Sequence, residues 1–233
     1  MINRFPFIIA ELSGNHGGHL NRMLGLIAAA ATAGCSAVKF QFYEPDQMPD
    51  YEGNEALYKQ SAVPTDWLKP MFDLAHAYKI PLFASVFAPW AVEHLLQYNP
   101  PAFKIASPES TRLPHEVYEA IVGKVRRLST ADLIVSSGLA DMAAMQSLDP
   151  DCLMYCKAGY PAVIDENDLR IVHFLENRLP GFSDHTQGII APLAMVTAGA
   201  KVIEKHFKLA ESDIDAAFSL NSEQMKTLCN LCS

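Results

Sequence analysis

The stretch GFSDHTQGIIAPLAMVTAGAKVIEKHF, residues 181–207, decides how the rest of the chain is read. A short run ends in Ser183, Asp184 and His185, and a second, apolar at its start, ends in Glu204, Lys205 and His206. Between them residues 189–198 are almost wholly apolar, as a buried helix requires. Strand, turn, helix, strand is the βαβ unit of a parallel sheet. Two imidazoles are thus delivered to the ends of two neighbouring parallel strands.

The same alternation recurs upstream. Short β-rich runs are expected at residues 7–10 (ending at Glu11), 37–42, 81–87, 102–107, 133–137 and 152–157. Helical patterns follow at 20–33, 65–78, 89–98, 113–127, 141–147 and 165–177, and a last one closes the chain at 222–229. A long connection without its own pattern joins the second strand to the helix at 65–78. Eight strand–helix units in 233 residues predict an α/β fold, a (β/α)8 TIM barrel in one domain spanning residues 1–233. A doubly wound open sheet is the alternative. It would carry a glycine-rich turn after strand one, and SGNHGG at 13–18 does not fit GxGxxG.

Composition narrows the function. Half of the residues are hydrophobic, enough for a closed core, and the net charge of −8 disfavours an electrostatic nucleic-acid binder. Five cysteines without framework spacing suit a reducing compartment, and the Cys229–Cys232 CxxC has no thioredoxin-like setting. The N-terminal apolar run is interrupted by Glu11 and reads as a first strand, not a signal peptide. No run approaches the ~20 apolar residues of a membrane helix. A soluble, cytoplasmic protein is expected, with no nucleic-acid or membrane partner.

A barrel places its active site at the C-terminal ends of its strands. Strand one offers Glu11, then Asn15 and His16; strand two Lys39 and Gln41; strand three Ser85. Strand four offers Lys104, Ser107 and Glu109; strand five Ser136, Ser137 and Gly138; strand six Lys157 and Tyr160. Strands seven and eight add Ser183, His185, Glu204 and His206. Lys39 and Lys104 alternate with apolar neighbours, so both are expected to point into the barrel mouth. With hydroxyls and a Ser-Ser-Gly turn they suit a phosphate. The alternative for each lysine is a structural ion pair with Glu11, Glu109 or Glu204. His185 and His206 suit an open divalent-metal site, or else are hydrogen-bonded core residues. The other histidines, His16 included, fall in loops or helices and read as structural.

The segments FIIAELSGNHGG, AVKFQFY, LFASVF, FKIASPE, VSSG, YCKAGYP, GFSDHTQG and GAKVIEKHF resemble, in order and spacing, the bacterial sialic acid synthase family. Its members include N-acetylneuraminate, legionaminate and pseudaminate synthases. The resemblance spans nearly the whole chain, and SDHT with EKHF is its most specific part. It implies a TIM barrel that condenses phosphoenolpyruvate with an N-acyl-mannosamine-type aldose, giving a 2-keto-3-deoxy sugar acid and phosphate. By position, His185 and His206 match the metal ligands, for Mn2+ or Mg2+. Lys39, Ser85, Lys104, Ser107, Ser136 and Ser183 match positions that hold phosphoenolpyruvate, with Gln41 nearby. Glu11, Glu109, Tyr160, Glu204 and Asp215 match positions at the sugar or around the metal. Glu11 and Glu204 are expected to be catalytic together with the two histidines.

Several departures from that pattern carry expectations of their own. Family members continue into a small C-terminal antifreeze-like domain; residues 1–233 resemble the barrel alone, and a protein without that lid is expected. The resemblance implies a homodimer, and the missing lid implies a separate lid-domain partner. Lys157, Ala158 and Gly159 replace the family's small polar turn and are expected to change what the substrates meet. The segment 141–150 is short for a full helix, and 129–132 is an unusual entry to strand five. The loop LAESDIDAAFSL at 209–220 lacks the family's PGPD, leaving Asp215 a looser match. Two other functions compete. One is a different keto-acid synthase or metal aldolase with another acceptor, such as a phosphorylated one. The other is a non-catalytic sugar-phosphate-binding or scaffold barrel.

Overall fold

The structure is a computed structural model and describes residues 2, 5–175 and 179–232. In chain order the elements are β1 (Phe7–Glu11), α1 (Leu20–Thr32), β2 (Ala37–Phe42), α2 (Glu55–Ser61), α3 (Leu68–Ala77), β3 (Leu82–Val86), α4 (Pro89–Leu96), β4 (Ala102–Ile105) and α5 (Pro108–Thr111). They continue with α6 (His115–Leu128), β5 (Asp132–Ser137), α7 (Met142–Gln146), β6 (Cys152–Cys156), α8 (Glu166–Phe174), β7 (Pro180–Asp184), α9 (Ile190–Thr197), β8 (Val202–His206) and α10 (Ser222–Leu231). All eight strands are parallel and each pairs with its sequence neighbour. Pairing of β1 with β8 closes the barrel, with Glu11 opposite both Lys39 and His206. The expected (β/α)8 fold is the observed one.

Local sequence explains the elements. In α1 the buried residues are Met23, Leu26, Ile27 and Ala30, a stripe at helical spacing that packs on the strands. Pro89 occupies the first turn of α4, where no amide hydrogen is needed. Capping boxes open α8 (Asp165 with Asp168) and α10 (Asn221 with Gln224). Two helices were not anticipated. α2 buries none of its residues and so carries no apolar stripe, and α5 is a single turn begun at Pro108. Residues 65–67 form a 3-10 turn, so the helix expected from 65 starts at Leu68. The end of the helix expected over 165–177 lies outside the described residues.

Strand alternation divides the molecule into two cores. Outward residues such as Ile8, Phe40, Phe103, Val135 and Tyr155 meet the helices. Inward residues Phe7, Ile9, Ala37, Phe83, Ala102, Ile134, Cys152, Met154 and Val202 fill the lower barrel. Gly181 belongs to this layer, because a Cβ there would lie 2.8 Å from Met154 Cγ and 3.1 Å from the Val202 carbonyl. One inward step further along each strand the layer turns polar: Glu11, Lys39, Ser85, Lys104, Ser136, Cys156, Ser183 and Glu204, all buried. A polar layer resting on a packed apolar plug is the floor of the site.

Outside the barrel, β7 and β8 are tied by a fully buried ion pair. Lys205 Nζ donates to Asp184 Oδ2 at 2.7 Å and to the Thr186 carbonyl, while Asp184 Oδ1 accepts from the Thr186 amide at 2.8 Å. Each member is the direct neighbour of one mouth histidine. Lys205→Met is expected to cost about 3–5 kcal/mol, because it strands the Asp184 charge in the core. Urea denaturation checks this; a loss below about 1 kcal/mol would mean that Asp184 is relieved by water or protonation.

Candidate active site

A cavity of about 490 Å³ opens at the C-terminal ends of the strands. Of the residues expected at the site, Glu11, Lys39, Gln41, Ser85, Lys104, Ser107, Ser136, Tyr160, Ser183, His185, Glu204, His206 and Asp215 all line it. Glu109 does not. Its carboxylate accepts from Ser107 Oγ and from the Gly138 amide at 3.1 Å, fastening the turn after β5. A Cβ at Gly138 would collide with that carboxylate.

The floor is a four-charge cluster. Lys39 Nζ pairs with Glu11, lies 3.6 Å from Glu204 Oε2 and donates to Ser85 Oγ at 2.6 Å. Lys104 Nζ lies 2.5 Å from Glu204 Oε1 and 3.5 Å from Ser183 Oγ, and Ser183 Oγ itself donates to Glu204 Oε1 at 3.0 Å. Both lysines make ion pairs, as the alternative reading expected, and both also line the cavity. The expected partner Glu109 is not used. Burial favours a neutral Glu204, but Lys104 and Lys39 outweigh it and hold the carboxyl well below the usual range. Burial also weakens the Lys39 ammonium, yet Glu11 and Glu204 more than compensate and its pKa rises. For Lys104 burial dominates, Lys39 adds repulsion, and the pKa falls despite Glu204. Ser136 Oγ is buried at the cavity wall with no hydrogen-bond partner among the described residues.

Above the floor the two histidines face each other, ring centroids 5.2 Å apart. His206 Nδ1 lies 3.1 Å from Asp215 Oδ2, which requires a proton on that nitrogen. His185 is held by a backbone hydrogen bond with Lys157, and its Nδ1 lies 3.8 Å from Cys156 Sγ. Burial raises the Asp215 carboxyl, but the hydrogen bond and charge of His206 prevail and lower it. Phe218 packs against His206 at 4.7 Å and Tyr160 against His185 at 4.6 Å. Tyr160 Oη is 2.7 Å from Ser110 Oγ. Gln41 reaches Ser13 Oγ at 3.2 Å.

The donor set fits a divalent cation. Burial first, then His206 and Lys104, push the His185 pKa down to about 3, so its ring carries a free lone pair at neutral pH. His206 is anchored through Nδ1 to a carboxylate, the arrangement usual behind a metal-ligating imidazole. No cluster of three His, Cys, Asp or Glu side chains is arranged to hold a metal among the described residues. A cation here would thus complete its shell with water or substrate, as catalytic sites do.

The same shift makes a stability prediction. An unfolded imidazole protonates near pH ~6.5. Because the folded value is depressed, the unfolded chain binds the extra proton below that pH. Stability of the metal-free protein is full above pH ~6.5 and falls as pH drops toward 3, by up to about 1.4 kcal/mol per pH unit from this group. Urea melts across that range should show the slope, and His185→Gln should remove this share. An unchanged slope in the variant would refute the assignment.

Two sequence expectations need correction or addition. Lys157 does not enter the mouth: it follows outward-facing Tyr155, is 37% exposed, and pairs with Asp168 at 2.7 Å over the start of α8. The inward residue of β6 is Cys156, which sequence reading passed over although alternation from Cys152 and Met154 points to it. Its thiol is pushed up to about 12 by burial and is not a thiolate. Ser13, Ser110 and Phe218 also line the cavity and were not anticipated. His16 is a structural residue, its Nε2 3.1 Å from the Ser61 carbonyl and its ring edge-on to Trp67. The five cysteines are buried as thiols, Cys229 and Cys232 within the outer core. No helix among the described residues is long and apolar enough to cross a membrane.

Comparison with known proteins agrees with this geometry. Residues 26–232 match the model of the NeuB family. The chain is 33% identical over 251 residues to the pseudaminic acid synthase of Campylobacter jejuni subsp. jejuni serotype O:23/36, covering 95% of this chain and 71% of that protein. It is 33% identical over 245 residues to the spore coat polysaccharide biosynthesis protein SpsE of Bacillus subtilis, covering 95% of this chain and 65% of that one. Among solved structures, the N-acetylneuraminic acid synthetase of Leptospira borgpetersenii serovar Hardjo-bovis, in complex with citrate, superposes with a TM-score of 0.84 at 26% identity. That match covers 97% of this chain and 82% of the other. The chain belongs to the NeuB family and is, by that kinship with sugar-acid synthases, an enzyme.

Proposed function

We propose that the barrel condenses phosphoenolpyruvate with an N-acyl-mannosamine-type aldose, releasing phosphate and a sialic-acid-like 2-keto-3-deoxy sugar acid. The observation that carries this reading is one cavity holding both a lysine–serine floor, with the unpartnered Ser136 hydroxyl, and a facing pair of imidazoles. The first suits an anion; the second suits a cation that addresses a carbonyl.

In this reading Lys39 and Lys104, with Ser85, Ser107, Ser136 and Ser183, take the phosphate and carboxylate of phosphoenolpyruvate. The ammonium groups leave their glutamates in part to do so, and Glu11 remains beside Lys39 to limit the movement. His185 and His206 hold Mn2+ or Mg2+, which when bound supplies Lewis acidity at the aldehyde oxygen. Asp215 keeps the His206 ring in place. The enol methylene carbon forms the new bond to the aldehyde carbon, whose oxygen becomes a hydroxyl on protonation. Water adds at C2 of the former enol, where positive charge builds. Glu204, kept ionised by the lysines, accepts the proton that this water loses. The C–O bond to phosphate then breaks, the phosphate leaving with the electron pair, as the new C2 hydroxyl gives up its proton and becomes the ketone; the two protons of the added water thus replace those taken up by the aldehyde oxygen and the phosphate. Lys104, whose hold on its proton is weakened by burial, suits donation to the departing phosphate. Tyr160 and Gln41 border the space left for the sugar, and Glu109 acts from behind by fixing Ser107 and Gly138.

The test is phosphate release from phosphoenolpyruvate with Mn2+ and a panel of aldoses, N-acetylmannosamine and diacetamido hexoses first. Release with these supports the proposal. Release only with a phosphorylated aldose would replace the acceptor, and binding without turnover across the panel would make the barrel non-catalytic.

A further inference from the structure

Asn15, directly after Ser13 and Gly14 in the loop that follows β1, is 1% exposed and does not line the cavity, yet its side chain ties that loop to three points of the segment after β8. Its Oδ1 accepts from the Asp215 amide at 2.8 Å. Its Nδ2 donates to the Phe207 carbonyl at 2.8 Å and to Ser219 Oγ at 3.1 Å. Ser219 Oγ in turn donates to the Asp215 carbonyl at 2.7 Å. Both ends of the Asp215 peptide unit are therefore fixed through one carboxamide. The same carboxamide grips Phe207, the residue next to His206. Asp215 then meets His206 Nδ1 at 3.1 Å. Asp215 sits in the loop after β8, just before a single 3-10 turn (Ala216–Phe218). Its own segment grips only its carbonyl, from the Phe218 amide at 3.2 Å and from Ser219 Oγ. Its amide is held by Asn15, and its carboxylate also accepts from Ser13.

We infer that Asn15 is a positioning residue for the metal-directed imidazole: through Asp215 it fixes the tautomer and orientation of His206, leaving Nε2 aimed into the cavity. An amide is the group this position needs. Oδ1 accepts from the Asp215 N–H while Nδ2 donates to both the Phe207 carbonyl and Ser219 Oγ. A carboxylate has no hydrogen to donate, and a hydroxyl has only one. Asp215 is thereby assigned to His206 and not to the sugar. The inference rests on the proposed reading only in taking His206 Nε2 as the working nitrogen.

The metal-free, 15N-labelled protein tests it directly. Long-range 1H–15N correlation of the His206 ring near neutral pH should show a single tautomer, protonated at Nδ1. Asn15→Ala should mix the tautomers and weaken Mn2+ binding by about 10–100-fold, the range found for groups behind metal ligands. Asn15→Asp, of the same size, should do likewise, because its second oxygen opposes the Phe207 carbonyl. Combining Asn15→Ala with Asp215→Ala should weaken Mn2+ little beyond Asp215→Ala alone, since both act along one path. An unchanged tautomer and unchanged Mn2+ affinity in Asn15→Ala, with only the melting temperature lowered, would overturn the inference. Should that variant not fold, Ser219→Ala removes one support alone; it should shift both readouts in the same direction by less, and no shift overturns the idea. A wild-type protein with one tautomer and tight Mn2+ binding, both lost in Asn15→Ala, yet with no turnover, supports Asn15's role while rejecting the synthase reading, so the two fail separately.

Discussion

If the proposed synthase reading holds, Lys104→Ala is expected to lower phosphoenolpyruvate turnover by about 10²–10³-fold, the size expected when one positioned donor to developing charge is lost. The argument lies in the charge count of the floor. Lys39 and Lys104 oppose Glu11 and Glu204, all four buried. Removing one ammonium leaves two carboxylates against one lysine, and an incoming phosphate meets net negative charge. Glu204 then keeps only Lys39, at 3.6 Å, and its carboxyl rises toward the ordinary range. The base weakens at the moment the anion site empties, so both kcat and KM should suffer. Lys104→Arg separates charge from shape, since a guanidinium keeps the charge but cannot place it as an ammonium does. Steady-state kinetics with phosphate detection measures all three proteins. Unchanged kinetics in the alanine variant would reduce Lys104 to a structural counter-ion.

His206→Ala is expected to abolish metal-dependent turnover, a loss of at least about 10³-fold, while leaving the fold intact. Its ring stands at the open end of β8, above the apolar plug, and supports no strand pairing. What it touches is Phe218 at 4.7 Å, His185 at 5.2 Å and Asp215. Losing the Phe218 contact should cost about 0.5–1.5 kcal/mol. Far-UV circular dichroism and a melting curve should therefore stay close to wild type, while Mn2+ titration should show weakened binding. Full activity in this variant would sink the metal assignment. His185→Ala should behave alike in turnover, but it also removes the buried neutral imidazole, so the acid slope of stability should flatten in it.

Much of this was legible before folding. The βαβ grammar of residues 181–207, repeated along the chain, fixes the barrel, because helix and strand periods are written in contiguous residues. Alternation puts Lys39 and Lys104 on the inner face and His185 and His206 at adjacent strand ends, and each of those positions lines the cavity. Where alternation was followed less closely, the reading failed: Lys157 was counted toward the mouth and Cys156 was overlooked. α2 escaped notice because a helix that buries nothing leaves no stripe in the sequence.

Tertiary structure alone decided who pairs with whom. Lys104 and Glu204 are separated by 100 positions, Asn15 and Asp215 by 200. No local period relates them. They meet because β1 hydrogen-bonds to β8, which brings the first loop beside the last one. Sequence determined which groups face the cavity; closure of the barrel determined that the lysines are balanced by Glu11 and Glu204, and that His206 is steered from the far end of the chain.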